Sequence, residues 1–398
     1  MNNETRKETQ VLPKDVRYVG ADDLTLPLFE NQYPVQPMGV SYNSYLILDE
    51  KIAVMDSVDA RAADEWLAKL AHELDGRRPD YLVISHMEPD HSGSILRLAE
   101  RYPEMQLVGN AKTFAMLRQF FGASAPANER LVEVGEGGTI SLGTHTLHFM
   151  LAPMVHWPEV MVAYEETEKL LFSADAFGRF GSLGRTANAP WAPQARRYYY
   201  NIVGKYGAQV QALLKKASAL ELETICPLHG PVLTGGALAE ALRLYDLWSR
   251  WQSEAPEEIL LAHASIHGNT ARAAELLKQK LEAKGARVTL CDLTTTEVSY
   301  AVASAFYCGR LVLACSTYDG GLFPPMEEFL THLQAKGFRG RTVGLIENGS
   351  WAPAAARLMR AKLEEMKDLR VCGTVVSLRS ALSPASEAQM DALTTELC

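Results

Sequence analysis

The 398-residue chain is 47% hydrophobic and 22% charged with a formal net charge of −9, and its length predicts two domains, each with a core of its own. No apolar run reaches the roughly 18 residues that a membrane-spanning helix needs, and the acidic balance offers no basic footprint for nucleic acid. The opening "MNNETRKETQ" lacks the apolar core of a secretory leader, which predicts a cytoplasmic protein.

In chain order, "SYLILD" and "IAVMD" are separated only by "EK" and predict an antiparallel hairpin. "RAADEWLAKLAHEL" predicts a helix. The apolar run "YLVIS" then breaks into "HMEPDH", residues 86–91, before a helix over "SILRLAERY". Strands follow at "TLHFML", "VMVAYE" and "LLFSAD", and one long helical region spans 193–220. This is a mixed sheet-and-helix domain whose topology the sequence order leaves open. A linker is expected at "WQSEAPEE", 251–258, where a segment rich in Leu and Trp gives way to a Pro-containing acidic stretch, dividing the chain into domains 1–252 and 257–398. Beyond it, "ILLAHA", "VTLCDL", "RLVLAC", "TVGLIE" and "VCGTVVS" alternate with helices, the first over 270–284, and predict a doubly wound five-stranded parallel sheet. Ala273, Leu277 and Leu281 share one face of that first helix, with Gly285 where a C-terminal cap belongs.

Chemistry-bearing residues gather at the ends of the apolar runs. Of ten histidines, four stand there: His86 and His91 in "HMEPDH", His156 in "APMVHWP" and His229 in "CPLHGP"; Asp175 ends "LLFSAD" in the same way. One such histidine is more often a hydrogen-bonded structural residue than a ligand. Four of them, joined by Glu88, Asp90 and Asp175, favour metal. Residues two apart in an extended segment point the same way, so His86 and Glu88 can reach one ion. Asp90 and His91, at the turn into a helix beginning near Ser92, can address a second. Pro89 stiffens the loop between the pairs, and Gly93 leaves room for close backbone approach. Seven donors exceed one tetrahedral zinc and suit two ions with one bridging carboxylate. The mixed nitrogen and oxygen set fits iron, manganese or zinc.

The hairpin, the strand followed by H-x-E-x-D-H, and the later His, Asp and His are similar to the metallo-beta-lactamase fold, an αββα sandwich. Hydrolases of that fold usually carry His where this chain has Glu88; H-x-E-x-D-H instead resembles the flavodiiron proteins, or A-type flavoproteins. The resemblance implies that His86, Glu88 and His156 hold one iron, that Asp90, His91 and His229 hold the other, and that Asp175 bridges them.

The second domain tests this independently. "SIHGNT" (Ser265, Ile266, His267, Gly268, Asn269, Thr270) follows the first strand and opens a helix. Backbone N–H groups there, with the Ser265 and Thr270 hydroxyls and the Asn269 amide, can surround a phosphate at the positive end of a helix without any Lys or Arg. Ser316, Thr317, Tyr318, Asp319, Gly320 and Gly321 follow the third strand; Asn348, Gly349, Ser350 and Trp351 follow the fourth. In a sheet ordered 2-1-3-4-5 these loops converge at the switch point where FMN binds, with Tyr318 and Trp351 placed to flank a planar ring. The loops resemble those of flavodoxin, although His267 stands where a hydroxyl is commoner.

Both halves follow the order of the flavodiiron family and cover nearly the whole chain. The resemblance implies an oxidoreductase that takes dioxygen to water and/or nitric oxide to nitrous oxide, with FMN and two iron ions as cofactors. It also implies a head-to-tail homodimer, or a dimer of dimers, in which the flavin of one subunit faces the irons of the other. The six cysteines (Cys226, Cys291, Cys308, Cys315, Cys372, Cys398) form no C-x-x-C pair, so electrons are expected from a rubredoxin or similar carrier. Two rivals remain: a binuclear zinc hydrolase fused to a flavodoxin, against which Glu88 weighs, and a flavin electron carrier with a metal-free first domain, against which the filled ligand positions weigh.

Overall fold

The "SYLILD" and "IAVMD" runs form the expected hairpin, Tyr45–Ile47 pairing antiparallel with Ala53–Met55. In the computed structural model, which describes residues 11–398, this hairpin belongs to the first of two compact units, 1–246 and 247–398. The leader reading rests on residues 1–10 and lies outside the described residues. Among the described residues, no helix is long and apolar enough to cross a membrane.

The first unit is built on two six-stranded sheets. One runs in the order Val16–Tyr18, Tyr45–Ile47, Ala53–Met55, Tyr81–Val83, Gln106–Gly109, Leu131–Glu133; the other in the order Thr139–Ser141, Thr146–Leu151, Met161–Glu165, Leu170–Phe172, Thr224–Cys226, Leu233–Thr234. Tyr45, Met55, Val83 and Val108 of the first sheet share one buried cluster with Phe149, Met161, Phe172 and Cys226 of the second. Two inner faces packed in this way, with amphipathic helices such as Ala63–Leu74 (Trp66, Leu67 and Leu70 buried), make the αββα sandwich. The loops at the strand ends carry the site.

Three local expectations change. First, Tyr81–Val83 ends before His86, and the helical turn begins at Pro89 rather than near Ser92: Pro89–Ser92 is one short turn that holds Asp90 and His91, and Ile95–Arg101 follows. Proline at the first helical position starts that turn, because its missing N–H is unused there. Second, the long region 193–220 is broken into Trp191–Tyr198, a π-helical turn Tyr199–Val203, a 3-10 turn Gly204–Tyr206 and Gly207–Ala217. Gly204 and Gly207 weaken the α-helix there, and Tyr198 at the end of the helix is completely buried together with Tyr199 and Tyr200 of the widened turn. Third, the expected linker is partly strand: Ala255–Ala264 begins inside it, with Ala255 paired to Cys308 and the register slipping before Ile259. Pro256 falls in that slip, where a lost N–H breaks no ladder bond. Gly309 makes room for it: a Cβ at Gly309 would stand 2.1 Å from the Pro256 carbonyl oxygen.

The second unit is the doubly wound sheet. Its strands lie in the order Arg287–Asp292, Ala255–Ala264, Cys308–Tyr318, Thr342–Asn348, Arg370–Leu378, all parallel, which is 2-1-3-4-5 in chain order. The first helix spans Asn269–Glu282 with Ala273, Leu277 and Leu281 buried, and Gly285 takes φ +87° just past its end.

Candidate functional site

Seven residues distant in sequence bring their donor atoms to two adjoining points. His86, Glu88, His156 and Asp175 form one group, and Asp90, His91 and His229 the other. In the first, His156 Nε2 lies 3.1 Å from Glu88 Oε2 and 3.0 Å from Asp175 Oδ2, and His86 Nε2 is 3.3 Å from each. In the second, Asp90 Oδ2 lies 3.2 Å from His91 Nε2 and 3.3 Å from His229 Nε2, and the two imidazole nitrogens are 3.1 Å apart. The other oxygen of Asp175, Oδ1, lies 3.3 Å from His91 Nε2 and 3.5 Å from His229 Nε2. One carboxylate thus turns an oxygen to each group.

These separations match ligands that share an ion. Donors at about 2.1 Å from a metal stand about 3.0 to 3.4 Å from one another in octahedral or tetrahedral geometry. The hydrogen-bond accounting agrees: both oxygens of Asp90 and Oδ1 of Asp175 are buried and accept no hydrogen bond, a cost that a cation removes. The residues fit a pair of divalent ions. Gly93 has the predicted function, since a Cβ there would meet the Pro89 carbonyl oxygen at 2.7 Å and Ala60 N at 2.9 Å.

Electrostatics bind the cluster tightly. Burial lowers the basicity of His156, but its bonds to Asp175 and Glu88 outweigh this and raise its pKa to about 9. Burial would raise the Glu88 and Asp175 carboxyls, yet the imidazoles around them hold both well below the usual range.

Two supporting acids were not singled out in the sequence. Glu159 is fully buried; its Oε1 accepts from His86 Nδ1 at 2.7 Å and from Met87 N at 2.9 Å, which leaves His86 Nε2 free for metal. Its signal was an acid held between Pro158 and the apolar run "VMVAY". Asp56 Oδ1 accepts from Ser85 N at 2.7 Å, fixing the loop before His86, and burial pushes its carboxyl up to about 6. On the other side His229 Nδ1 donates to the Ser41 carbonyl at 2.6 Å.

Aromatic rings wall the cluster: Trp157 lies 5.2 Å from His86, and Phe29 and Tyr198 lie 5.3 and 5.5 Å from His229. Glu88 and Asp90 also line a cavity of about 440 Å³ that includes Phe29, Tyr42 and Arg61, so these two donors are reachable by a small molecule.

The second unit has a separate cavity of about 570 Å³ at the carboxyl ends of its strands, within the usual ligand range. Fourteen of the sixteen residues expected from the loops line it, while Gly268 and Gly321 do not; Ala352 and Ser380 complete it. Gly268 instead takes φ +88° before the helix and donates its N–H to Ser265 Oγ at 3.1 Å. Thr270 Oγ1 bonds Ser316 Oγ at 2.8 Å and accepts from Asn348 Nδ2 at 3.2 Å, tying the start of the first helix to two strand ends. The Thr317 hydroxyl caps the helix Ala355–Glu364 by accepting from Ala354 N and Ala355 N. Trp351 is 88% exposed and Tyr318 44% exposed, and both line the cavity.

Residues 40–230 match the model of a family described as ODP family beta lactamase. The chain is 27% identical over 361 residues to the rubredoxin-oxygen oxidoreductase of Megalodesulfovibrio gigas, covering 87% of each. It is 26% identical over 363 residues to the nitric oxide reductase of Moorella thermoacetica, covering 88% of each. Its fold superposes on the flavodiiron protein from Giardia intestinalis with a TM-score of 0.88 at 24% identity, over 97% of this chain and 95% of the other. The chain thus resembles the ODP family of beta-lactamases over residues 40–230 and shares the fold of the flavodiiron protein from Giardia intestinalis.

Proposed function

We propose that the chain is a diiron flavoprotein reducing dioxygen to water and/or nitric oxide to nitrous oxide, with electrons from an external donor passed through FMN. The observation that carries this reading is the division of Asp175 between two donor groups whose carboxylates include Glu88 in place of a histidine. Iron would be held by His86, Glu88 and His156 at one position and by Asp90, His91 and His229 at the other, with Asp175 between. The domains run over 1–252 and 257–398, the second holding FMN. Two ferrous ions held there would supply open positions for a diatomic molecule and, with a reduced flavin, the four electrons that take dioxygen to water.

The chain's own residues bind, orient and keep out water. Glu159 and the Ser41 carbonyl take the Nδ1 protons of His86 and His229, so each presents Nε2 inward. Phe29, Trp157 and Tyr198 cover the imidazoles with carbon. The Tyr198 phenol keeps its proton, because burial and then the charges of Asp175, Asp90 and Glu88 all disfavour the phenolate.

The proposal includes a cytoplasmic protein, a rubredoxin or similar donor, and a head-to-tail homodimer or dimer of dimers. The test is anaerobic reduction of iron- and flavin-loaded protein, then parallel consumption assays with dioxygen and nitric oxide. Consumption of either gas is expected; consumption of neither, or a preparation that turns over only hydrolytic substrates with zinc, refutes the reading. Sedimentation should give an even-numbered oligomer.

A further inference from the structure

The flavin cavity contains an unusual electrostatic choice. A phosphomonoester near neutral pH carries about −1.5 to −2 charge, yet among the described residues no Lys or Arg lines the cavity. Backbone N–H groups, hydroxyls and amides supply dipoles, and Asp319 adds a negative charge. The single lining side chain able to carry positive charge is His267. It stands in the loop between the strand Ala255–Ala264 and the helix Asn269–Glu282, directly before Gly268, whose φ of +88° turns the chain into that helix. Its imidazole is exposed and makes no hydrogen bond or ion pair with the described residues, so nothing in the fold occupies it. The other titratable or charged side chains of the cavity are the Tyr318 phenol, at the end of the strand Cys308–Tyr318, and Asp319 directly after it. The loop from Asn348 to Ala352 and Ser380 contribute none, and Arg272 is the first charged residue along the helix.

We propose that His267 is the residue that reads the phosphate charge, so that the hold on a phosphorylated flavin depends on protonation of this one side chain. The proposal rests on the flavin reading above and deepens it. A phosphate dianion beside an imidazole favours the imidazolium. Binding and protonation are then linked: affinity is greatest where the imidazole is charged and falls as pH rises through the imidazole's pKa in the complex. The backbone amides, which do not titrate, set a floor under the affinity at high pH. They also favour the phosphate dianion over the monoanion, a trend with the opposite sign, so the imidazole's share is the difference between parent and variant profiles.

The experiment is titration of the flavin-free protein with FMN, and separately with riboflavin, followed by flavin fluorescence between pH 6 and 8.5. For the unaltered chain, FMN affinity should fall about three- to tenfold across that range relative to His267→Asn, as expected for losing an exposed charge pair worth about 1 kcal/mol, while riboflavin binding stays flat in both. His267→Lys should keep the low-pH affinity throughout, because an exposed ammonium remains charged to about pH 10. Superimposable FMN profiles for the parent and His267→Asn would overturn the proposal, as would an equal pH response with riboflavin. If neither FMN nor riboflavin binds the parent while circular dichroism shows it folded, the flavin reading itself falls and the proposal with it. Binding of both flavins with no difference between parent and variants removes only the role of His267.

Discussion

Replacing Glu159 by alanine should loosen one metal position and spare the other. The carboxylate accepts two buried hydrogen bonds, from His86 Nδ1 at 2.7 Å and from Met87 N at 2.9 Å. Alanine leaves both donors without a partner, at about 1 to 3 kcal/mol each, so the fold should lose about 2 to 6 kcal/mol. Asn110 bonds the main-chain oxygen of Glu159 at 2.6 Å and is untouched, so the loop keeps one anchor. The imidazole of His86 loses its orienting partner, and groups in such positions are typically worth ten- to a hundredfold in metal affinity, or about 1.4 to 2.8 kcal/mol. No supporting bond of the other group involves Glu159: His229 is held by the Ser41 carbonyl. Competition with a chromophoric chelator should therefore show two ions of similar affinity in the parent and one normal, one weakened ion in Glu159→Ala. Glu159→Gln, which keeps an accepting oxygen without its charge, should fall between, at about five- to tenfold. Equal weakening of both ions, or full affinity for both in a folded alanine variant, would refute the orienting role assigned to Glu159.

Other outcomes follow from the same geometry. Glu88→His should shift metal content from iron toward zinc in protein grown with equal supplies of both, read by elemental analysis, because one hard oxygen donor becomes a nitrogen. Stripping the ions should lower Tm reversibly: ions present at a thousandfold their Kd stabilise the fold by about 4 kcal/mol, and the stripped cluster keeps three carboxylates packed in the fold. Gly230→Ala should cost about 1 to 3 kcal/mol in chemical denaturation, since φ is +80° and the new Cβ would stand 2.7 Å from Arg179 Cγ, beside His229. Leu277→Ala, at a fully buried position of the second unit, should cost about 2 to 5 kcal/mol and leave metal content unchanged.

The parallel sheet of the second unit was legible because alternation of apolar runs and amphipathic helices admits few topologies, and the run order "ILLAHA" to "VCGTVVS" matches its five strands. The first unit was harder. Strands of two or three residues, such as Leu28–Phe29 and Tyr33–Pro34, are too short to show a period of two, and the π-helical turn at Tyr199–Val203 has a helix-compatible sequence whose widening depends on what the three tyrosines pack against.

The candidate donors were readable from the chain itself: His86, Glu88, Asp90, His91, His156, Asp175 and His229 are polar groups set at the ends of apolar runs, a position that folding brings to one rim of a sheet. Tertiary structure alone decided how they divide. Which oxygen of Asp175 meets which group, and that Glu159 turns His86 from 73 residues away, depend on the packing of two sheets. Local sequence sets which donors exist; only the closed fold sets which atoms come within about 3 Å of one another, because such contacts are made between segments with no sequence relation.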